Sequence, residues 1–330
     1  MGLNKRLINT GGAGGIDATE YFDVQTYTGN AATRTFTTGF QTDLVWVNKN
    51  NNSAGFYDSQ RLYYRLDPSS TLGNTLDASG INAFNSDGFT MAGSSIINQS
   101  SQDYVYWAWS GGGSAVSNFD GTITSTVSAN QDAGFSVVKY TGNGTSSATI
   151  GHGLSSTLDF IIIKRTDTFL DWAVYHSSVG ENYWLLLQRD LAAQGTSSIW
   201  NQTAPTSSVF TVGNASQVNA SGGTYIAYCF HSVDGYQKTG SYTGDGTSSN
   251  SITGLGFQPR WLLLKRTDSN GYWSVFDSAN GPSVRNFVDI ANGWQTGTSF
   301  VFSFYSDGFT LGTASEYNIN TANYVYLAIA

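Results

Sequence analysis

Tyr27-Thr28-Gly29-Asn30, Tyr140-Thr141-Gly142-Asn143 and Tyr242-Thr243-Gly244-Asp245 are three versions of one tetrapeptide. Each is answered far downstream by an aromatic run: Tyr104-Val105-Tyr106-Trp107-Ala108-Trp109, Tyr225-Ile226-Ala227-Tyr228-Cys229-Phe230 and Tyr324-Val325-Tyr326-Leu327-Ala328-Ile329. Opening and closing tyrosines stand 77, 85 and 82 positions apart, so the repeating unit is domain-sized and its length differences are loop insertions. Units of this length can bury a core of their own, unlike solenoid repeats. The reading is of three tandem domains after a short arm: 1–20 as an N-terminal arm, 21–113 as the first repeat, 114–234 as a linker and the second, and 235–330 as the third.

The content of each unit is strand. Charged residues make up 12% of the 330 and aromatic residues 14%, with 38 glycines and three glutamates, and no stretch sustains the 3.6-residue apolar period of a helix. Phe160-Ile161-Ile162-Ile163-Lys164-Arg165 and Trp261-Leu262-Leu263-Leu264-Lys265-Arg266 are apolar runs ending in charges. They read as strands buried on both faces that emerge into solvent at their ends. Trp172 and Trp273 open the next strand in each copy. Phe84-Asn85-Ser86-Asp87-Gly88-Phe89 and Phe304-Tyr305-Ser306-Asp307-Gly308-Phe309 read as hairpins whose glycine supplies a positive φ. Thr122 to Ser128 reads as an exposed edge strand, and the short joints favour a rod or compact stack. The fold class is all-β, three tandem β-sandwiches of jelly-roll or lectin-like type.

Charge and composition narrow the chemistry. A net charge of −8 without a Lys/Arg cluster argues against a nucleic-acid partner. No run approaches the length of a membrane span, and the single cysteine, Cys229, sits in a closing strand as a small buried hydrophobe. The three histidines, His152, His176 and His231, are too scattered for a local metal site, and His176 takes the place that Asp277 holds in the third repeat. The recurrent aspartates Asp87, Asp307, Asp167 and Asp268 repeat with the fold, which favours turn roles over a paired-carboxylate site. No catalytic residue, metal or cofactor is expected.

Aromatic loops are the better binding candidates. Trp200-Asn201 and Trp294-Gln295 stand in polar stretches ten positions before Phe210 and Phe304. Each tryptophan either stacks on a pyranose whose hydroxyls the neighbouring amides bind, or folds back as a lid over its own sandwich. At the N-terminus, Leu3, Lys5, Arg6, Leu7 and Ile8 precede the glycine-rich Gly11-Gly12-Ala13-Gly14-Gly15, the layout of a peptide that orders on docking.

Several segments carry a family resemblance. Asp120-Gly-Thr-Ile-Thr-Ser-Thr-Val-Ser128, Ser136-Val-Val-Lys-Tyr-Thr-Gly-Asn-Gly144, Thr203-Ala-Pro-Thr-Ser-Ser-Val-Phe210 and Ser306-Asp-Gly-Phe-Thr-Leu-Gly312 resemble the tandem β-rich repeats of virion proteins from tailed bacteriophages, marine and cyanobacterial phages especially. Leu3 to Asn9 with its glycine-rich follow-on is similar to the leader of phage fibre-type proteins. The resemblance implies a non-enzymatic virion component assembled in the host cytoplasm: a tail fibre, spike or capsid-surface appendage. It implies a homo-oligomer, commonly a trimer, attached to other virion proteins through the arm, with a host-surface glycan as an alternative ligand and a depolymerase as a more distant one. The first repeat departs most, with Asn48-Lys49 where the others have Lys-Arg and Ala54 in place of the strand tryptophan.

Overall fold

The computed structural model describes residues 16–50, 52–93, 96–247, 249–281, 284–290, 293–296, 303–312 and 316–330, with backbone alone at 52–54. Strand accounts for 44% of it and helix for 2%, so the chain is all-β.

One sheet plan is built three times, antiparallel throughout. In the first, the opening strand Phe22–Thr28 pairs with the closing strand Asp103–Trp109, which pairs with the inner strand Leu44–Lys49, which pairs with the outer strand Asn52–Asp58. The second uses Phe135–Thr141, Thr224–Phe230, Phe160–Arg165 and Ala173–His176 in the same order. The third uses Gln237–Thr243, Asn323–Ile329, Trp261–Arg266 and Ser274–Asp277.

The repeated tetrapeptide is one half of a lock. Its tyrosine lies opposite the closing tyrosine, and the rings stack at 5.0 Å (Tyr27 and Tyr104), 5.0 Å (Tyr140 and Tyr225) and 4.9 Å (Tyr242 and Tyr324). The glycine is required by a backbone that passes close by. A Cβ on Gly29, Gly142 or Gly244 would stand 2.2, 2.4 or 2.1 Å from the carbonyl oxygen of Gln99, Ala220 or Ile319. The passing loop carries the other half, a buried asparagine in all three copies: Asn98, Asn219 and Asn318. Its amide oxygen accepts the N–H of Asn30, Asn143 or Asp245 at 2.9–3.0 Å, and its amide nitrogen donates to the carbonyl of Ala32, Thr145 or Thr247. A buried amide whose donors and acceptor are matched in this way stabilises one geometry of the loop pair.

A smaller sheet covers the outer face of each main sheet: Arg34–Thr37, Gly88–Met91 and Ile81–Asn85 in the first repeat, Ala148–Gly151 with Val209–Val212 in the second, and Asn250–Ile252, Gly308–Leu311 and Ser303–Tyr305 in the third. The hairpins expected at Ser86-Asp87 and Ser306-Asp307 are present, but the glycine is not at the corner. Gly88 pairs with Asn85 as the first residue of its strand, and its Cβ would lie 1.9 Å from the Phe36 carbonyl oxygen. Gly88 and Gly308 do take the expected positive φ, +156° and +155°, and close approach adds a second reason for glycine here. The expected edge strand near Thr122–Ser128 is also corrected. Ser125–Asn130 lies inside the second sheet, between Val116–Asn118 and the opening strand, because the linker folds back and adds two strands.

The other face of every main sheet is buried as well. Phe22, Trp46, Trp107 and Trp109 of the first repeat, Phe160, Ile162 and Phe230 of the second, and Trp261, Leu263 and Leu327 of the third belong to one continuous core. Trp261 packs edge-on to Trp109 at 5.5 Å and lies 6.2 Å from Trp46. The three inner faces leave between them a void of only about 10 Å³. Of the expected rod or compact stack, the compact arrangement is the one present: three sheets close around a common apolar centre, because each has apolar residues on both faces.

Candidate functional site: the seams between repeats and the tryptophan loops

Trp200 is 1% exposed and stands edge-on to Tyr175 at 5.6 Å, within the outer core of the second repeat. Asn201 bridges Ser146 and Ser147 with its amide, at 2.8 and 3.0 Å, and Asn201 and Gln202 take φ near +50° to turn the chain inward. Trp200 with Asn201 as a sugar platform is therefore corrected: the ring is a lid with no open face. Trp294 folds back too, onto a different repeat. It is half-buried on the central core, its indole N–H donates to Asn48 Oδ1 at 3.2 Å, and its backbone N–H donates to Asn50 Oδ1. Gln295 is exposed in a two-residue strand against Arg285. Trp294 is thus a clamp between the third repeat and the first.

That clamp belongs to a cyclic set. The fifth residue of each inner strand is Asn48, Lys164 or Lys265, and in each case its side chain donates to a carbonyl of the preceding repeat. Lys164 Nζ donates to Thr71 O at 2.9 Å, Lys265 Nζ to Asp190 O at 3.2 Å, and Asn48 Nδ2 to Phe287 O at 3.1 Å. The strand-end lysines expected in solvent are buried, at 0 and 1% exposure. Each ammonium also donates within its own repeat, to Leu170 O or Gly271 O, so the charge is solvated by fixed carbonyls instead of water. Burial pulls both lysines down to about 8. Beside them, Trp172 Nε1 donates to Ser70 O at 3.0 Å and Trp273 Nε1 to Leu186 O at 2.8 Å.

A second ring of contacts runs through the last residue of each outer strand, since Asp58, His176 and Asp277 all lie opposite the first residue of an inner strand. Asp58, fully buried, accepts from Arg61 Nε at 2.8 Å and from the hydroxyl of Tyr228 in the second repeat at 2.8 Å. His176 takes Ser178 N–H on Nδ1, which leaves Nε2–H to donate to Tyr326 O of the third repeat at 3.1 Å. Asp277 accepts from Asn280 and Asn286 and faces Trp107 of the first repeat. Burial lowers His176 to about 4 and raises Asp277 to about 6. The shared position of His176 and Asp277 was legible in the sequence. Asp58 completes the set, four positions after Ala54 as His176 and Asp277 are four after Trp172 and Trp273.

Every seam is thus made by the same positions with different chemistry, first repeat to second, second to third, and third back to first. The arrangement can hold three sheets rigidly. Among the described residues no three His, Cys, Asp or Glu side chains are grouped to hold a metal ion. Leu3, Lys5, Arg6, Leu7 and Ile8, expected to anchor the chain, lie outside the described residues. Comparison with curated proteins and with solved structures gave no match. A single family model spans the three repeats, across residues 17–330. The chain accordingly belongs to the family described as a domain of unknown function, DUF7483.

Proposed function

We propose that this chain is a non-enzymatic structural protein of a tailed-phage particle, a tail-fibre or spike-type appendage joined to other virion proteins through residues 1–20. In this reading each repeat is a β-sandwich of jelly-roll or lectin-like type, and the three are held out from the particle as one body. The observation that carries the reading is how six of the interior ionisable groups are used. Lys164, Lys265, Arg61, Asp58, His176 and Asp277 all lie in the seams, partnered across them or within their own repeat. Groups committed to architecture in this way favour a load-carrying part over a reaction centre. Any homotrimer would have to form through other surfaces, because the contacts that could join copies head to tail already join the repeats.

The experiment supplies either the full chain or a chain lacking residues 1–20 to phage assembling without the wild-type copy, then probes purified particles for each. Incorporation of the full chain and loss of the truncated one is the expected result. Normal incorporation of the truncated chain overturns the anchoring role, and absence of the full chain from particles overturns the structural assignment.

A further inference from the structure

The linker that precedes the second repeat builds something that the other repeats lack. Its residues 118–123 lie along the strand Ala148–Gly151, with Ile123 bridged to Ile150 and Thr122 hydrogen-bonded to Thr149. Gly121 and Gly151 permit the approach: a Cβ on the first would lie 2.3 Å from the Thr149 carbonyl oxygen, and one on the second would overlap the Asn118 amide. Between this segment and two loops of the repeat lies an open depression of about 400 Å³, within the ~300–1,000 Å³ usual for small-molecule sites.

Its frame is fixed from below and from the side. His152, fully buried, accepts Leu154 N–H on Nδ1, and its Nε2 faces the Thr206 carbonyl at 3.3 Å, joining the two loops of the floor. Gln131 ties the linker to the same floor, accepting from Ser155 N–H and hydroxyl at 2.9 and 2.7 Å and donating to Gly153 O. The third repeat shows what the alternative looks like. Asp307, two positions before Phe309 as Ser208 is before Phe210, turns its carboxylate onto the loop amides of Gly254 and Gly256 and fills the corresponding place. In the second repeat a serine stands there, and the corresponding amides are taken by the Ser208 carbonyl and by His152 Nδ1, so no carboxylate occupies the place.

The lining chemistry selects the ligand class. Asp120, Ser155, Ser207 and Ser208 present a carboxylate and three hydroxyls at the surface, with Asn118 beside them and Leu154 as an apolar floor. No Lys or Arg lines the depression, so an anionic ligand has no counter-charge, and a single carboxylate does not make a cation site. Several hydroxyl-bonding groups around a small apolar floor match a neutral pyranoside, which offers hydroxyls at its edge and an apolar ring face. We propose that this depression binds a neutral hexopyranose unit of a larger glycan, with Asp120 accepting from its hydroxyls, the serine hydroxyls bonding its edge and Leu154 under its apolar face.

The site stands apart from the particle assignment, so either can fail while the other holds. Transverse-relaxation-optimised NMR of the labelled full chain, titrated to tens of millimolar with methyl α-mannopyranoside, methyl β-galactopyranoside and N-acetylglucosamine, tests it. At least one should give saturable shifts at the amides of Phe119, Asp120, Ser155 and Ser208, with Kd on the order of 1 mM. Asp120→Asn, at an exposed position and checked for an unchanged melting temperature, should weaken binding tenfold or more. Silence from all three sugars, shifts centred elsewhere, or binding indifferent to Asp120→Asn overturns the proposal.

Discussion

Trp273→Ala tests whether the three repeats stand or fall together. The indole is 1% exposed within the central core, and its N–H reaches across a seam to the Leu186 carbonyl at 2.8 Å. Emptying a buried aromatic site of this size costs roughly 3–5 kcal/mol. The carbonyl left without its donor adds about 1 kcal/mol, at the low end for a buried acceptor because removal of the ring admits water to it. The expected loss is therefore about 4–6 kcal/mol. Guanidinium unfolding followed in parallel by tryptophan fluorescence and far-ultraviolet circular dichroism reads it as a lower midpoint. Because the core is continuous across the repeats, both probes should move together in one transition with an unchanged m-value. Trp172→Ala, whose N–H reaches Ser70 O at the preceding seam, should behave alike. A loss below about 1 kcal/mol, the range of surface substitutions, would refute the burial. A variant that melts in two steps, with only the third repeat weakened, would refute the coupling.

Two further outcomes follow from the seams and the lock. His176, lowered from 6.5 to about 4, contributes stability that is present above pH 6.5 and lost as the pH falls towards 4, whereas Asp277, raised from 3.8 to about 6, costs stability as the pH rises from 3.8 to 6. Chemical unfolding at stepped pH should therefore show Asp277→Asn gaining on the wild type by about 3 kcal/mol between pH 4 and 8, and His176→Gln gaining in the opposite direction; parallel curves would show that neither group is held in its neutral form. Gly142→Ala should cost about 1–3 kcal/mol in thermal or chemical unfolding, because its Cβ meets backbone at 2.4 Å and cannot be relieved by a side-chain rotation; a neutral result would mean that the loop carrying Ala220 is free to retreat.

The local half of this fold was written in the sequence. Triplicated tetrapeptides located the opening strands, aromatic runs located the closing strands, and continuous apolar runs located the inner ones, since each signal is a period or spacing set by its own segment. The seams were not legible, for a physical reason. Lys164 and Lys265 at the end of an apolar run look like solvent-facing charges, and only carbonyls from a neighbouring repeat, about 75 to 93 residues away in the chain, make their burial tolerable. Trp200 and Trp294 looked alike from their flanks, yet one folds into its own repeat and the other reaches across to Asn48. The depression beside Asp120 depends on a linker strand whose pairing no local pattern announced, because its polar, alternating residues also suit an open edge.

The head-to-tail character of the seams has a consequence for how such a gene can change. A contact that joins unlike surfaces ends either in a ring or in an open chain, and three repeats here turn far enough to meet their own beginning. Asp58 with Tyr228, His176 with the Tyr326 carbonyl and Asp277 facing Trp107 give the three joints distinct identities, so a repeat that strays to the wrong neighbour finds a mismatched partner. A chain with two repeats, or four, would carry one adhesive surface without its mate at each end. Such a chain is set to polymerise, and repeat number in this architecture is constrained by geometry even where the individual repeats are free to diverge.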